Sequence, residues 1–280
     1  MAEPVTLARA EAGTIGSAGQ REKIMAGERI RFSITDQVAR IVLANPANRN
    51  AIDATFTHEF AAVAGRCEGE QGLRAIVLSA EGEWFSVGGD LRSFLAHRDA
   101  IGEHIRSTAA TFHNGVLALR RAAAPVIAAV GGTAAGAGFS IVCGADLVVA
   151  SEAARFVSAY TGSGLTPDGG LTYYLPHIVG RRTAFDLMAT NTMLSAAEAK
   201  ALGIVSRVVP PEALEGAVEE LVAQLLAQPE GALGGLKALM RRGEDEAFSV
   251  QLRAEAESIA RMAGSAPTLA RMEAFLNRKK

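Results

Sequence analysis

The sequence predicts an α/β domain followed by a helical C-terminal region. Three observations carry that expectation. Short aliphatic runs bounded by Gly, Pro or Asn alternate with longer amphipathic stretches over the first two-thirds of the 280 residues. Beyond Pro210-Pro211 only helical patterns remain. Apolar residues make up 49% but aromatics only 5%, which excludes wholesale disorder and makes the interior mostly aliphatic. Glycine is abundant, at 29 residues, and its placement matters below.

In order, residues 1–28 show no sustained periodicity and read as an extension, loosely ordered or lying on a partner surface. Arg29 to Thr35 alternates polar and apolar as a half-buried strand does, Asp36-Gln37 can turn, and Val38 to Leu43 is a second strand. Asn45-Pro46 ends it. Ala54 to Ala64 reads as a helix and Ala75 to Ser79 as a buried strand. Leu91 to His97 and Ile101 to Ala123 are helical, Val126 to Val130 is a buried strand, Gly136 to Gly144 a short apolar helix, and Leu147 to Ala150 another strand. Gly170 to Val179 and Arg181 to Thr190 are helices, and Ile204 to Val209 precedes the proline pair. The chain thus divides into an extension (1–28), a core (29–210) and a helical region (211–280). In the last, Phe248, Leu252, Ile259 and Met262 keep roughly helical spacing among Arg253, Glu255 and Glu257. Such an apolar face needs a surface, either the chain's own core or a neighbouring subunit.

Charge is balanced, 28 Lys+Arg against 30 Asp+Glu, so no basic field is available for nucleic acid or an anionic membrane. Cys67 and Cys143 are too few for a disulfide scaffold and lack zinc-site spacing, which fits packing thiols in a reduced cytoplasmic compartment. The N-terminus has no continuous apolar run and does not read as a signal peptide. Residues Ala122 to Ala145 carry no formal charge over 24 positions. Pro125 and five glycines interrupt them, so they read as a buried strand, a turn and a buried helix rather than a membrane span. Dinucleotide, Walker A, nucleophile-elbow and zinc-protease spacings are all absent, and the five histidines form no ligand cluster. Neither a metal nor a separate cofactor is expected.

Two junctions stand out. In Glu83 to Leu91 and again in Val130 to Phe139, a buried strand leads through glycines into a helix. Small residues let a ligand approach the main chain, and a helix start offers unpaired N–H groups with positive dipole character. Two such junctions in one core can aim two N–H groups at one oxygen, an oxyanion hole supplying roughly 3 kcal/mol per donor. On spacing alone, the same glycines could serve only to let strand pack on helix.

At these residues the sequence resembles the crotonase (enoyl-CoA hydratase/isomerase) superfamily. Asn45-Pro46-Ala47-Asn48-Arg49-Asn50-Ala51, Phe85-Ser86-Val87-Gly88-Gly89-Asp90-Leu91, the Ala129 to Ala150 block, Gly164 to Gly170, and Ala196 to Val205 with Val208-Val209 follow that family's order. The likeness runs from about residue 29 to the C-terminus and is nearest to the enoyl-CoA isomerases of phenylacetate breakdown. It implies a crotonase-like spiral of ββα units, C-terminal helices used for trimerisation, and a homotrimer or dimer of trimers. It also implies an acyl-CoA thioester, with coenzyme A as part of the substrate. By the same resemblance, the oxyanion donors are the N–H groups of Val87 and Ala137. The loop Arg49-Asn50-Ala51 and the Gly88, Gly89, Asp90, Leu91 segment match the part that holds the coenzyme A moiety, and Ser86, Gly136, Ser140, Tyr160 and Pro167 are further expected substrate-binding residues.

Hydratases of the family use two glutamates, at positions that are Ser140 and Tyr160 here. A base for water and an acid for the α-carbon are therefore both missing. One carboxylate remains on the matching loop, Asp168, placed as in the isomerases, where it can take a proton from one carbon and return it to another. From spacing alone, Asp168 could instead only form an Asx-turn before Gly169-Gly170. Asp168 also matches the nucleophilic aspartate of 4-halobenzoyl-CoA dehalogenases. Those enzymes carry a histidine eight residues before the Pro-Val of the buried strand, which is Leu117 here with His113 four residues earlier, and a tryptophan where Tyr160 stands. Isomerisation is the leading expectation. A hydratase-like lyase, a dehalogenase-like hydrolase and a non-catalytic acyl-CoA binder are the alternatives.

Overall fold

The computed structural model describes residues 23–241 and 245–277. Eleven strands are resolved among them: β1 Lys23–Ala26, β2 Ile30–Thr35, β3 Val38–Leu43, β4 Ala75–Ala80, β5 Trp84–Ser86, β6 Val126–Val130, β7 Thr133–Ala135, β8 Leu147–Ser151, β9 Arg155–Val157, β10 Leu194–Ser195 and β11 Arg207–Val209. The helices are α1 Ala54–Gly69, α2 Leu91–Ala96, α3 Ile101–Arg121, α4 Ala137–Cys143, α5 Leu171–Val179, α6 Arg181–Thr190, α7 Ala196–Ala201, α8 Leu214–Leu226, α9 Ala232–Arg241, α10 Asp245–Ala263 and α11 Ala266–Asn277.

Two sheets organise these elements. The larger has seven strands in the order β1-β2-β3-β4-β6-β8-β11, antiparallel from β1 to β3 and parallel from there on. The smaller has four, β10-β9-β7-β5. Three times in succession a strand of the large sheet is followed by a short strand of the small one: β4 by β5, β6 by β7, β8 by β9. Helices then carry the chain back, so the ββα units wind as a spiral. The parallel core strands read as continuous aliphatic runs because both faces are covered. On β4, Ile76 and Leu78 join the main core cluster while Ala75 and Val77 pack toward Val218, Leu221 and Val222 of α8. The β2–β3 hairpin closes through Asp36 and Gln37, both at positive φ (50° and 65°), as a tight two-residue turn demands.

The uncharged run of Ala122 to Ala145 is β6, β7 and α4, and among the described residues no helix is long and apolar enough to cross a membrane. Sequence reading placed the start of order at Arg29, whereas β1 already pairs Lys23–Ala26 with Ile34 to Arg31; residues 1–22 lie outside the described residues. The small sheet was not foreseen, since strands of two or three residues are too short to show alternation. In the C-terminal region, Phe248, Leu252 and Ile259 of α10 belong to the chain's own main core, while Met262 is partly exposed. Cys67 and Cys143 are buried free thiols.

Candidate active site

The site lies where the two glycine junctions meet the loop before α5. The junctions interlock closely. A methyl on Gly88 would sit 2.9 Å from both the Ala135 oxygen and the Ala137 nitrogen, and one on Gly138 would sit 2.6 Å from Ser86 Cβ. Gly88 also stands at φ 85°, so glycine is required there for conformation as well as for clearance. Main-chain pairing sets the geometry: Thr133 and Ala134 of β7 lie beside Trp84 and Ser86 of β5, and Gly136 donates its N–H to Val157 at 3.1 Å.

Accounting for the N–H groups corrects one expectation. Val87 N–H is spent on the Arg49 carbonyl at 3.1 Å, Gly88 N–H on Ser86 Oγ at 3.1 Å and Asp90 N–H on the Ile52 carbonyl at 3.1 Å. The parallel bridge between Ile52 and Gly89 consumes the groups on either side of Gly89 and leaves Gly89 N–H pointing away. Among the described residues that N–H has no acceptor, and Gly89 lines the cavity. Across the junction, Ala137 is the first residue of α4, where an N–H has no intrahelical partner, and it too lines the cavity. The open pair is therefore Gly89 and Ala137, not Val87 and Ala137.

The cavity measures about 670 Å³. Arg49, Ala51, Val87, Gly89, Asp90, Leu91, Gly136, Ala137, Tyr160 and Asp168 all line it. Ser86, Gly88, Ser140 and Pro167 are not in its wall. Ser86 is fully buried and donates its hydroxyl to the Asn50 carbonyl at 2.8 Å, tying the Arg49 loop to β5. Arg49 places its guanidinium 5.3 Å from the centroid of Trp84 at the cavity rim. Asp90 caps α2 through Arg92 N–H (2.9 Å) and Ser93 N–H (3.3 Å), and its other oxygen accepts from Asn48. Tyr173 and Tyr174 are no part of the wall; they pack on Phe248.

At the cavity wall, Tyr160 and Asp168 form one chain of hydrogen bonds with Ser140 behind them, three residues that the sequence reading treated separately. Tyr160 donates its hydroxyl to Asp168 Oδ1 at 2.6 Å, and Ser140 Oγ lies 2.9 Å from the same phenol oxygen. The residue before Tyr160, Ala159, adopts φ 59°, a costly conformation for a side-chain-bearing residue. Asp168 is only 8% exposed, and burial pushes its carboxyl up to about 6, against the opposing pull of the Tyr160 hydroxyl. Burial also holds the Tyr160 phenol well above its ordinary value, so it stays protonated and donating.

Asp168 does not act as an Asx-turn. The two N–H groups after it are held by other residues: Gly169 donates to His113 Nε2 at 3.0 Å and Gly170 to Glu255 Oε2 at 2.8 Å. His113 is buried, which lowers it to about 4 and keeps it neutral, consistent with an accepting Nε2. So the histidine beside the aspartate turn is His113, whereas Leu117 packs against the main core. In the sequence Glu255 read only as one of the charged residues among the apolar positions of the last helices. Its signal was a carboxylate among Leu252, Ala256 and Ile259, in step with an apolar helix face.

Among the described residues no group of His, Cys, Asp and Glu could hold a metal ion. The sequence matches the Enoyl-CoA hydratase/isomerase family over residues 33–280. It is 31% identical to 4-chlorobenzoyl coenzyme A dehalogenase-2 of Arthrobacter over 246 residues, covering 88% of this chain and 89% of that one. It is likewise 31% identical to 1,2-epoxyphenylacetyl-CoA isomerase of Escherichia coli over 244 residues, covering 86% and 93%. The enoyl-CoA hydratase of Bacillus halodurans superposes with a TM-score of 0.83 over 88% of this chain and 100% of that one, at 22% identity, which shows a shared fold. With its ββα spiral, its paired glycine junctions and a match over nearly its whole length, the chain belongs to the enoyl-CoA hydratase/isomerase family, whose substrates are coenzyme A thioesters.

Proposed function

We propose that the chain moves a double bond within an enoyl-CoA thioester, with Asp168 as the single acid/base. The observation that carries this is the state of the carboxylates in the cavity wall. Asp90 is spent on a helix cap, while Asp168 is buried, raised to about 6, and has only Oδ1 engaged by a side chain. Gly89 and Ala137 N–H groups hold the thioester oxygen. As Asp168 removes a proton from the carbon next to the thioester, negative charge spreads onto that oxygen, and the fixed N–H dipoles stabilise it without reorganising. The protonated Asp168 then returns the proton to the far carbon of the extended enolate, so the double bond ends conjugated with the thioester. A carboxyl whose pKa is near the working pH serves both half-steps. Tyr160 holds Oδ1, leaving Oδ2 for the substrate. The Ser140–Tyr160 pair supplies no second carboxylate to activate water, which speaks against ordinary hydration.

The test is the Asp168→Asn variant with trans-3-hexenoyl-CoA, following formation of the 2-enoyl thioester by absorbance. Turnover is expected to fall by about 10²–10⁴-fold, the usual contribution of a general base. Unchanged turnover would sink the assignment.

His113 favours a second reading, in which Asp168 attacks a halogen-bearing aromatic carbon, as suits the likeness to a 4-chlorobenzoyl-CoA dehalogenase. Chloride leaves, and water then hydrolyses the aryl ester on Asp168. Chloride release from 4-chlorobenzoyl-CoA, with oxygen from labelled water appearing in Asp168, would establish that chemistry. The occupied Nε2 of His113 weighs against it, because that nitrogen is not free to take a proton from water.

A further inference from the structure

The turn that presents Asp168 is unusual. Gly169 and Gly170 both have positive φ (66° and 83°), so their N–H groups diverge from the helix that follows and need acceptors of their own. The Asp168 carbonyl accepts from Leu171 N–H at 3.3 Å and from the Tyr160 hydroxyl at 3.4 Å, not from either glycine. One acceptor, His113, comes from α3. The other is Glu255 of α10, nearly ninety residues further along the chain.

Glu255 is 3% exposed, and it spends both oxygens on this one structure. Oε2 accepts from Gly170 N–H at 2.8 Å, and Oε1 accepts from Thr172 N–H at 3.2 Å and from the Thr172 hydroxyl. All of these donors are neutral groups at the start of α5, where the helix dipole favours negative charge. Burying a carboxylate with no cation costs free energy even when it is hydrogen-bonded. Burial accordingly pushes Glu255 up to about 7. A buried residue that only anchored α10 would do so more cheaply as Leu or Met. Steric contacts locate the turn as well: a methyl on Gly169 would fall 2.8 Å from Phe112 and Ser140, and one on Gly170 2.7 Å from Phe248.

We infer that Glu255 is a positioning residue for Asp168, fixing the Gly169-Gly170 turn from the C-terminal helices so that the Asp168 carboxylate meets both Tyr160 and the substrate. Glu255 does not line the cavity, so it acts through the turn. The inference rests on Asp168 being the acid/base. It makes α10 part of the catalytic apparatus rather than only a cover for the core.

Four variants and the wild-type chain, all assayed with trans-3-hexenoyl-CoA, test it. Glu255→Gln keeps the size but puts an NH₂ donor against the Gly170 or Thr172 donors. Its kcat is expected to fall about a hundredfold with KM within about twofold, the signature of a misplaced reacting group rather than of lost binding. Leu252→Ala, in the same helix and buried in the core, is expected to lower the melting temperature at least as much while keeping kcat within about twofold. If Glu255→Gln keeps wild-type kcat while Asp168→Asn is inactive, Glu255 is an anchor and the inference is overturned, with the role of Asp168 intact. If Asp168→Asn keeps turnover, the acid/base reading fails first and takes the inference with it. Glu255→Asp, which retains the charge on a shorter stem, is scored by the same criteria should the Gln variant not fold.

Discussion

The two sides of the cavity are built on opposite principles. On one side, the Ser86 to Leu91 and Gly132 to Ser140 junctions are held by main-chain pairing within the small sheet, and what they offer the substrate is main-chain N–H. On the other, the Asp168 turn is held by side chains from elsewhere: Tyr160, His113 from α3 and Glu255 from α10. The first side constrains the sequence only where a Cβ would intrude, as at Gly88 and Gly138. The second depends on the chemical identity of each contributor. The difference teaches that the charge-stabilising half of such a site survives most substitutions, while the proton-handling half can be lost with one.

The sharpest way to break this contrast is Asp168→Asn, already described, which removes the proton carrier and leaves the main-chain side whole. Next comes Ala137→Pro. Proline is well tolerated at the first position of a helix, so the variant should fold while deleting one donor, and kcat should fall about 10²–10³-fold. A fall of only a few-fold would mean that this N–H does not face the developing charge. Tyr160→Phe is expected to cost less, about tenfold in kcat/KM, since it removes a hydrogen bond to a charged group but neither reactive group. It should also move the acid limb of the pH profile. The Tyr160 hydroxyl lowers the Asp168 pKa, so without it the carboxyl rises further and activity is lost at a higher pH than in the wild type. In the wild type, a base raised to about 6 gives a kcat/KM that falls as pH drops through that value. A flat profile between pH 5 and pH 7 would remove Asp168 from the proton-transfer step.

Much of the main-chain side was legible in the sequence, because glycine placement after buried strands is a local signal. Both junctions, and α2 and α4 after them, stand where the pattern put them. What the pattern did not resolve was which N–H is open. Val87 and Gly89 are two residues apart on one strand end and point the same way by period alone; only the Arg49 carbonyl, which takes Val87 N–H, distinguishes them. The family resemblance singled out Asp168, Tyr160 and Ser140 but said nothing of their mutual hydrogen bonds. The roles of Glu255 and His113 at the Asp168 turn were hidden for another reason. They reach the site across 85 and 56 residues of chain, and no local periodicity encodes such a meeting. The small sheet escaped for a third, its strands being shorter than one full alternation.

Ser140 has a consequence for how this protein could change its chemistry. Its side chain is completely buried, its Oγ touches the Tyr160 phenol at 2.9 Å, and a methyl on Gly169 would meet its Cβ at 2.8 Å. There is no room at position 140 for a glutamate while Tyr160 and the glycine turn stay as they are. Nor can Tyr160 be exchanged for a shorter residue without leaving Ser140 and Asp168 short of a buried partner. Positions 140, 160 and 168 are therefore epistatic: a mutational path from one carboxylate to two passes through intermediates that are overpacked or hydrogen-bond deficient. The shortest viable route is a concerted replacement, and a library aimed at new activity should vary these three positions together.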